Sequence, residues 1–186
     1  MNSRQIVQDT EEKMKKSIEV VNHNFAGVRT GRANAGMVEH LKVEAYGSMM
    51  PMRQVANITI PEPRTIVLQP WDPAVLKGLE KALNDSDLGI SPIVDGKLVR
   101  LSIPPLTRER REELVKIVHK LAEEGRVSMR SIRRDANEKV KSLEKDKTIT
   151  EDDSFKAQAE VQKLTDRYIS LIDQAQASKE KDLTQG

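Results

Sequence analysis

The sequence lacks several residue types and patterns on which common kinds of protein function depend. It contains no cysteine, so disulfide bonds and thiolate metal sites are excluded. Aromatic residues make up 3% and charged residues 32% of its 186 residues, a balance that favours long exposed helices over a thick globular core. No apolar run is long enough to span a membrane, and residues 1–16 lack the apolar core of a signal peptide. We therefore expect a soluble, cytoplasmic protein without a membrane partner.

Signatures of catalysis and cofactor binding are also missing. The histidines His23, His40 and His119 are widely separated, and none belongs to a metal-ligand spacing such as HExxH. Gly27 and Gly31 are isolated, so there is no glycine-rich loop that would bind phosphate. The many carboxylates alternate with lysines and arginines, as they do on solvated helix faces. We expect no enzyme activity, no catalytic residue, no metal and no cofactor.

Three long segments have apolar residues at the spacing of an amphipathic helix. They are residues 3–29, residues 106–147 and the segment that follows Thr150. In the second segment the apolar or small residues recur three or four positions apart and so share one helix face. These residues are Leu114, Val118, Leu121, Gly125, Met129, Ile132, Ala136, Val140 and Leu143. Because none of the three helices can bury its apolar stripe alone, the pattern predicts a three-helix bundle.

Capping residues mark where these helices begin and end. Ser3 is the expected N-cap of the first helix. Thr150 with Asp153 resembles a capping box at the start of the third helix, with aspartate in place of the usual glutamate. The residues after Ser178 are polar, and we expect them to fray.

Between the first two helices the apolar pattern changes to the alternation that is typical of short strands. Asp72-Pro73 resembles an N-cap followed by proline at the first helical position. Asp95-Gly96 predicts a two-residue hairpin turn. The expected elements are strands at 41–45, 55–60, 65–69, 93–94 and 98–103, and a helix at 74–84.

The predicted fold class is therefore α+β, a long three-helix bundle with an inserted small β/α/β domain. The bundle domain comprises residues 1–30 and 105–186, and the inserted domain comprises residues 31–104. Both ends of the insertion leave from one end of the bundle, so we expect two arms joined by paired connectors that allow a hinge. The connector residues are Thr30, Gly31, Arg32, Pro104 and Pro105.

The strongest candidate for function is a cluster of arginines in the middle of the second helix. Residues 106–147 hold 13 basic against 9 acidic residues, a net charge of +4, whereas residues 148–186 hold 5 against 8, a net charge of −3. Four arginines lie in the nine residues 126–134, with no acidic residue among them. They are Arg126, Arg130, Arg133 and Arg134, which we name the arginine cluster.

Two interpretations of the arginine cluster remain open from the residues alone. On a helical wheel the four side chains lie away from the apolar stripe, where guanidinium groups can bind phosphate and stack on bases of RNA. A solvated face held by ion pairs explains the same charges. The expected pairs are Arg134 with Glu138 and Arg130 with Glu123.

Six short motifs, spread in order along nearly the whole chain, resemble those of bacterial ribosome recycling factors. No single motif is decisive, but together they are highly specific. They are Arg29-Thr-Gly-Arg32-Ala33, Pro51-x-Arg-Gln-Val-Ala56, Ser86-Asp-Leu-Gly89, Ile103-Pro-Pro-Leu-Thr-x-Glu-Arg-Arg111, Arg130-x-x-Arg-Arg-Asp-Ala-Asn137 and Val161-Gln-Lys-Leu-Thr-Asp166.

The resemblance implies a function as well as a fold. It implies an L shape outwardly similar to transfer RNA, and a monomer that binds the post-termination ribosome on the large subunit. With elongation factor G and GTP, such a protein splits the subunits and releases messenger RNA and deacylated transfer RNA. By motif, the residues that contact ribosomal RNA are Arg130, Arg133, Arg134, Arg110, Arg29 and Arg32, to which the cluster adds Arg126.

A second hypothesis belongs to a different class of function. Long amphipathic helices also occur in adaptors and chaperone-like modules, which bind other proteins through exposed apolar grooves. Such a protein would associate with its partners in a salt-insensitive way and would not sediment with ribosomal subunits.

Overall fold

The computed structural model describes residues 2–185, which divide into two compact units. A helical unit comprises residues 2–30 and Arg108–Gln185, and a sheet unit comprises Gly31–Thr107. In chain order the elements are α1 (Ser3–Ala26), β1 (Lys42–Ala45), β2 (Ser48–Pro51), α2 (Met52–Val55), β3 (Ala56–Glu62), β4 (Thr65–Pro70), α3 (Leu76–Asn84), β5 (Ile93–Asp95), β6 (Leu98–Ser102), α4 (Arg108–Lys145) and α5 (Glu151–Gln185). Short 3-10 helices lie at Ala35–Met37 and Pro73–Val75.

The helical unit is the predicted three-helix bundle, and its core is a line of apolar contacts between α1, α4 and α5. The buried side chains of α4 follow the predicted stripe closely, although Leu121, Ile132 and Leu143 are only partly buried. All three helices approach one another closely at Gly125. A Cβ atom there would lie 2.6 Å from Val21 Cγ2 and 3.2 Å from Ile172 Cδ1, so a larger residue would push the helices apart.

The N-cap of α1 and the end of α5 differ from the prediction, whereas the capping box of α5 agrees with it. The N-cap of α1 is Asn2 and not Ser3. The Asn2 side chain accepts a hydrogen bond from the Gln5 backbone N–H at 2.8 Å, and the Gln5 side-chain oxygen accepts one from the Asn2 backbone N–H at 2.9 Å. The capping box of α5 is confirmed, since the Asp153 N–H donates to Thr150 Oγ1 at 3.1 Å. The expected fraying after Ser178 is wrong. Helix α5 continues to Gln185 because Leu183 is fully buried.

The sheet unit is the predicted α+β insertion. Its main sheet is antiparallel with strand order β3-β4-β6-β5, and β1 pairs separately with β2. Helix α3 packs on β1 so closely that a Cβ atom on Gly78 would collide with the backbone oxygen of Glu44. Strand β2 and helix α2 were not predicted. Strand β2 forms because Tyr46 and Gly47 turn the chain with φ of 54° and 78°, which returns it alongside β1.

The structure also bears on membrane association. No helix within residues 2–185 is both long enough and apolar enough to cross a lipid bilayer.

Candidate functional site

All four members of the arginine cluster lie on α4, but their surroundings differ. Helix α5 runs beside this part of α4, and two of the arginines reach it: Arg126 contacts Asp173, and Arg133 donates to Gln162 Oε1 at 3.4 Å. Arg134 is exposed. The cluster is therefore spread from the seam between the two helices out to solvent, and does not lie wholly on the solvated side as the helical wheel predicts.

Arg126 is held in that seam by acidic and amide groups. Its Nε donates to Asp173 Oδ1 at 2.8 Å, its Nη1 donates to Glu123 Oε2 at 3.3 Å, and its Nη2 donates to the Gln176 carbonyl. Its side chain is 21% exposed. Burial disfavours the charged guanidinium, but the hydrogen bonds and charges of Asp173 and Glu123 outweigh burial and raise the pKa of Arg126.

Arg130 shares an acidic partner with Arg126. Its Nη2 donates to Glu123 Oε1 at 2.6 Å, while the other carboxylate oxygen accepts from Arg126. The hydrogen bond from Arg130 is the main cause of a lowered pKa of Glu123, which burial opposes and Arg126 reinforces. The expected pair of Arg130 with Glu123 is thus present. We name Arg126 and Arg130 the acid-paired half of the cluster.

Arg133 and Arg134 form the acid-free half. Within residues 2–185, Arg133 has no acidic partner and bonds only to the neutral amide of Gln162. The Arg134 side chain has no hydrogen bond or ion pair to any residue in the same range, so the expected pair with Glu138 is not seen. Neither guanidinium charge is neutralised by a residue in the range 2–185. Both therefore remain able to bind a phosphate, which two parallel N–H groups of arginine match in geometry.

The other arginines that the sequence singles out lie in different units. Arg29 follows α1 and is exposed, and Arg110 in the first turn of α4 pairs with Glu113 at 2.8 Å. Arg32 is half-buried in the sheet unit. Their role in RNA contact remains a prediction.

The predicted connector residues lie where the chain passes between the units. Thr30 is the last residue of the first helical segment, and Gly31 begins the sheet unit, which retains Pro104 and Pro105 and ends at Thr107. Gly31 has a φ of 74°, and a Cβ atom there would lie 3.0 Å from Leu106 Cγ. Both facts favour glycine at this turn. The hinge itself remains a prediction.

The structure also reveals a polar group that the sequence prediction missed. Gln176, His119 and Glu180 meet beside Arg126: the Gln176 Nε2 donates to Glu180 Oε1 at 2.8 Å and lies 3.0 Å from His119 Nδ1. A signal was available, since Gln176 follows Tyr168 and Ile172 on the buried stripe of α5. A glutamine in an apolar stripe requires polar partners. Nowhere in residues 2–185 do three or more His, Asp or Glu side chains converge as a metal site would require.

Comparisons with known proteins give a consistent result. The family model described as "Ribosome recycling factor" matches residues 21–183. The ribosome-recycling factor of Symbiobacterium thermophilum is 54% identical over 181 residues, which covers 97% of this chain and 98% of that protein. The factor of Thermus thermophilus is 48% identical over 183 residues, covering 98% and 99%.

Solved structures agree with these sequence comparisons. A solution structure of a ribosome recycling factor has a TM-score of 0.81 and 40% identity, covering all of this chain and 99% of the other. A second similar structure gives models for the T. thermophilus ribosome recycling factor and the E. coli elongation factor G bound to the E. coli post-termination complex. Its recycling factor has a TM-score of 0.67 and 48% identity, covering 98% and 99%.

Proposed function

This chain belongs to the ribosome recycling factor family, and we propose that it binds the large subunit of the post-termination ribosome. Together with elongation factor G and GTP, it then separates the subunits, so that messenger RNA and deacylated transfer RNA leave. Support comes from the similar T. thermophilus factor, which is bound with elongation factor G to the post-termination complex.

The observation that carries this proposal in the chain itself is the acid-free half of the arginine cluster. Arg133 and Arg134 are adjacent cations on helix α4, and the described part of the chain supplies no carboxylate to either. Ribosomal RNA presents closely spaced phosphates, and neutralising them releases counterions, which drives association at low salt. Binding through this surface requires no bond chemistry.

We infer that the chain acts mechanically, as a monomer in the cytoplasm, and is not an enzyme. Elongation factor G hydrolyses GTP, while this chain binds the large subunit and transmits the movement of elongation factor G to it. Under this proposal the connectors at Thr30–Arg32 and Pro104–Pro105 bend during subunit separation. A disulfide engineered to lock the two arms together should then abolish recycling and spare ribosome binding; recycling by the locked protein would rule out bending.

The central experiment measures sedimentation of the full chain with purified large subunits at several salt concentrations. The double variant Arg133→Ala/Arg134→Ala should bind at least about tenfold more weakly, as expected for lost charge-assisted hydrogen bonds. The slope of log affinity against log salt should fall by about 2, one for each lost phosphate contact. Lys139→Ala is the matched control, because this cation is exposed on the same helix and lines a small cavity together with Asp9 and Asp135.

Two outcomes would contradict the proposal. If the double variant binds like Lys139→Ala at every salt concentration, the acid-free half has no role in binding RNA. If the wild-type chain binds large subunits but fails to separate post-termination ribosomes with elongation factor G and GTP, the proposal that it recycles ribosomes is wrong.

One structural observation favours the adaptor hypothesis as a second candidate. A groove of 440 Å³ lies between α1 and α4, lined in part by Val20, Val21 and Ile132. A protein ligand in this groove would resist high salt, because apolar contacts are not screened. Salt-sensitive binding to large subunits therefore discriminates against this function.

A further inference from the structure

Gln176 occupies a position on α5 where a polar side chain is unexpected. Its side chain is buried, at 8% exposure, one turn after the fully buried Ile172. An amide at such a position is stable only if its two donors and its acceptor are bonded. Its contacts therefore show which groups it holds in place.

Both ends of the Gln176 amide are used. Its Nε2 donates to Glu180 Oε1 at 2.8 Å and faces His119 Nδ1 at 3.0 Å, while its carbonyl oxygen accepts from Arg126 Nη2. His119 Nε2 lies 2.8 Å from Glu180 Oε1, so a ring protonated on Nε2 leaves Nδ1 free to accept. A reversed amide would turn its N–H groups towards Arg126 and its oxygen towards Glu180. These contacts fix one orientation.

The fixed carbonyl in turn orients Arg126. The Arg126 Nε bonds to Asp173 and its Nη2 bonds to Gln176, and this orientation directs Nη1 towards Glu123. A planar guanidinium bonded at three nitrogens has no freedom to rotate. Glu123 is thereby held at one oxygen by Arg126 and offers its other oxygen to Arg130.

Arg130 is the last residue in this series of contacts. Its Nη2 bonds to Glu123, and its remaining N–H groups have no partner in residues 2–185. The side chain is 41% exposed. A guanidinium fixed on one side and open on the other loses little side-chain entropy when it binds a phosphate.

We propose that Gln176 is a positioning residue for the RNA-binding surface: it orients Arg126, and through Glu123 it holds Arg130 ready to contact a phosphate of ribosomal RNA. This inference rests on the proposed function, because it assigns Gln176 to the same surface. It also separates the roles of the arginines. Arg130 touches RNA, whereas Arg126 acts inside the protein.

The test compares Gln176→Met with Gln174→Met in binding to purified large subunits. Methionine keeps the length of the side chain but removes every hydrogen bond. Gln174 is the matched control because it is exposed on the same helix and bonds only to Ser170. Gln176→Met should weaken binding about threefold to tenfold, the range of one net hydrogen bond, and Gln174→Met should leave binding unchanged.

A double-mutant cycle with Arg130→Ala distinguishes positioning from a general loss of stability. In the Arg130→Ala background, Gln176→Met should cause no further loss of binding, although it should still lower the melting temperature. An equal loss of binding in both backgrounds would overturn the proposal.

A second substitution covers the case in which Gln176→Met does not fold. His119→Ala removes the acceptor for the Gln176 amide from a side chain that is 59% exposed. It should weaken binding about twofold, less than one full hydrogen bond, and only when Arg130 is present. A His119→Ala chain that binds like the wild type would overturn the positioning role of Gln176.

The cycle also separates this inference from the proposed function. If Arg130→Ala weakens binding but Gln176→Met and His119→Ala do not, the surface binds RNA and the positioning role is wrong. If neither Arg130→Ala nor the Arg133→Ala/Arg134→Ala variant weakens binding, the proposed surface fails and the inference fails with it.

Discussion

Arg126 and Arg130 lie on α4 within about two turns of Arg133 and Arg134, yet the two halves of the cluster differ in what surrounds them. The acid-paired half is bonded to Glu123 and Asp173, whereas the acid-free half contacts only a neutral glutamine. Glu123 on α4 itself pairs with both Arg126 and Arg130. Helix α5 adds an acidic partner for Arg126 and only a neutral one for Arg133.

This difference shows why a count of basic residues does not locate a phosphate-binding surface. Arg126, whose charge is matched by Asp173, holds α4 against α5, whereas Arg130 shares its charge with Glu123 and keeps N–H groups open for phosphate. Arg133 and Arg134 have no acidic partner within residues 2–185 and keep their full attraction for phosphate. The following predictions test this division in three ways. They replace one arginine of each half, give Arg133 an acidic partner, and follow the titration of Glu123.

The largest expected effect is the loss of stability on removing Arg126. Arg126→Ala should lower the free energy of unfolding by about 2 kcal/mol, because the nearly buried Gln176 carbonyl loses its donor. This corresponds to a fall of roughly 4–8 °C in melting temperature for a chain of this size. Arg134→Ala should leave stability within about 0.5 kcal/mol, as exposed substitutions do. Thermal melting followed by circular dichroism compares the two, and equal melting temperatures would contradict the division.

The next effect comes from giving the acid-free half an acidic partner. Gln162→Glu replaces the neutral oxygen that lies 3.4 Å from Arg133 Nη1 with a carboxylate oxygen. Binding to large subunits should weaken about tenfold, since a charge-assisted bond would compete with phosphate. The melting temperature should fall slightly, because Gln162 Nε2 no longer donates to Asp166 Oδ1.

Gln174→Glu is the control for this conversion, because it adds the same charge to an exposed position of α5. If both variants weaken binding equally, total charge and not the local pairing of Arg133 determines affinity.

The fold could be predicted largely because apolar spacing is a local property of the sequence. The α4 stripe around Gly125 and the capping box of Thr150 with Asp153 both depend on residues at most four positions apart. The end of α5 could not be predicted in the same way. Leu183 is a single apolar residue in a polar segment, and only its burial in the bundle extends the helix to Gln185.

The site was predicted only in part, for the opposite reason. The arginines are visible in the sequence, but the partners of Arg126 are 47 and 50 residues away on α5. Helical spacing shows that Gln176 lies on a buried stripe, and cannot show that it faces Arg126. The pairing depends on the register of α5 along α4, which tertiary packing fixes.

The smallest expected effect is the pH dependence that Glu123 confers on the acid-paired half. The hydrogen bond from Arg130 holds the pKa of Glu123 below its usual value in the folded chain, so the unfolded chain takes up the proton first as the pH falls. The stabilisation is therefore fully present above the unfolded pKa and is lost as the pH falls further through the lowered folded pKa. Below the unfolded pKa, the melting temperature of Glu123→Gln should therefore fall slightly less than that of the wild type. The difference is small because Glu123 is exposed.

Glu124→Gln on the same helix is the control, because the Glu124 carboxylate has no ion pair within residues 2–185. It should melt like the wild type across the same pH range. If Glu123→Gln and the wild type have parallel melting curves in acid, Glu123 does not bind the two arginines in solution, and the division into an acid-paired and an acid-free half is wrong.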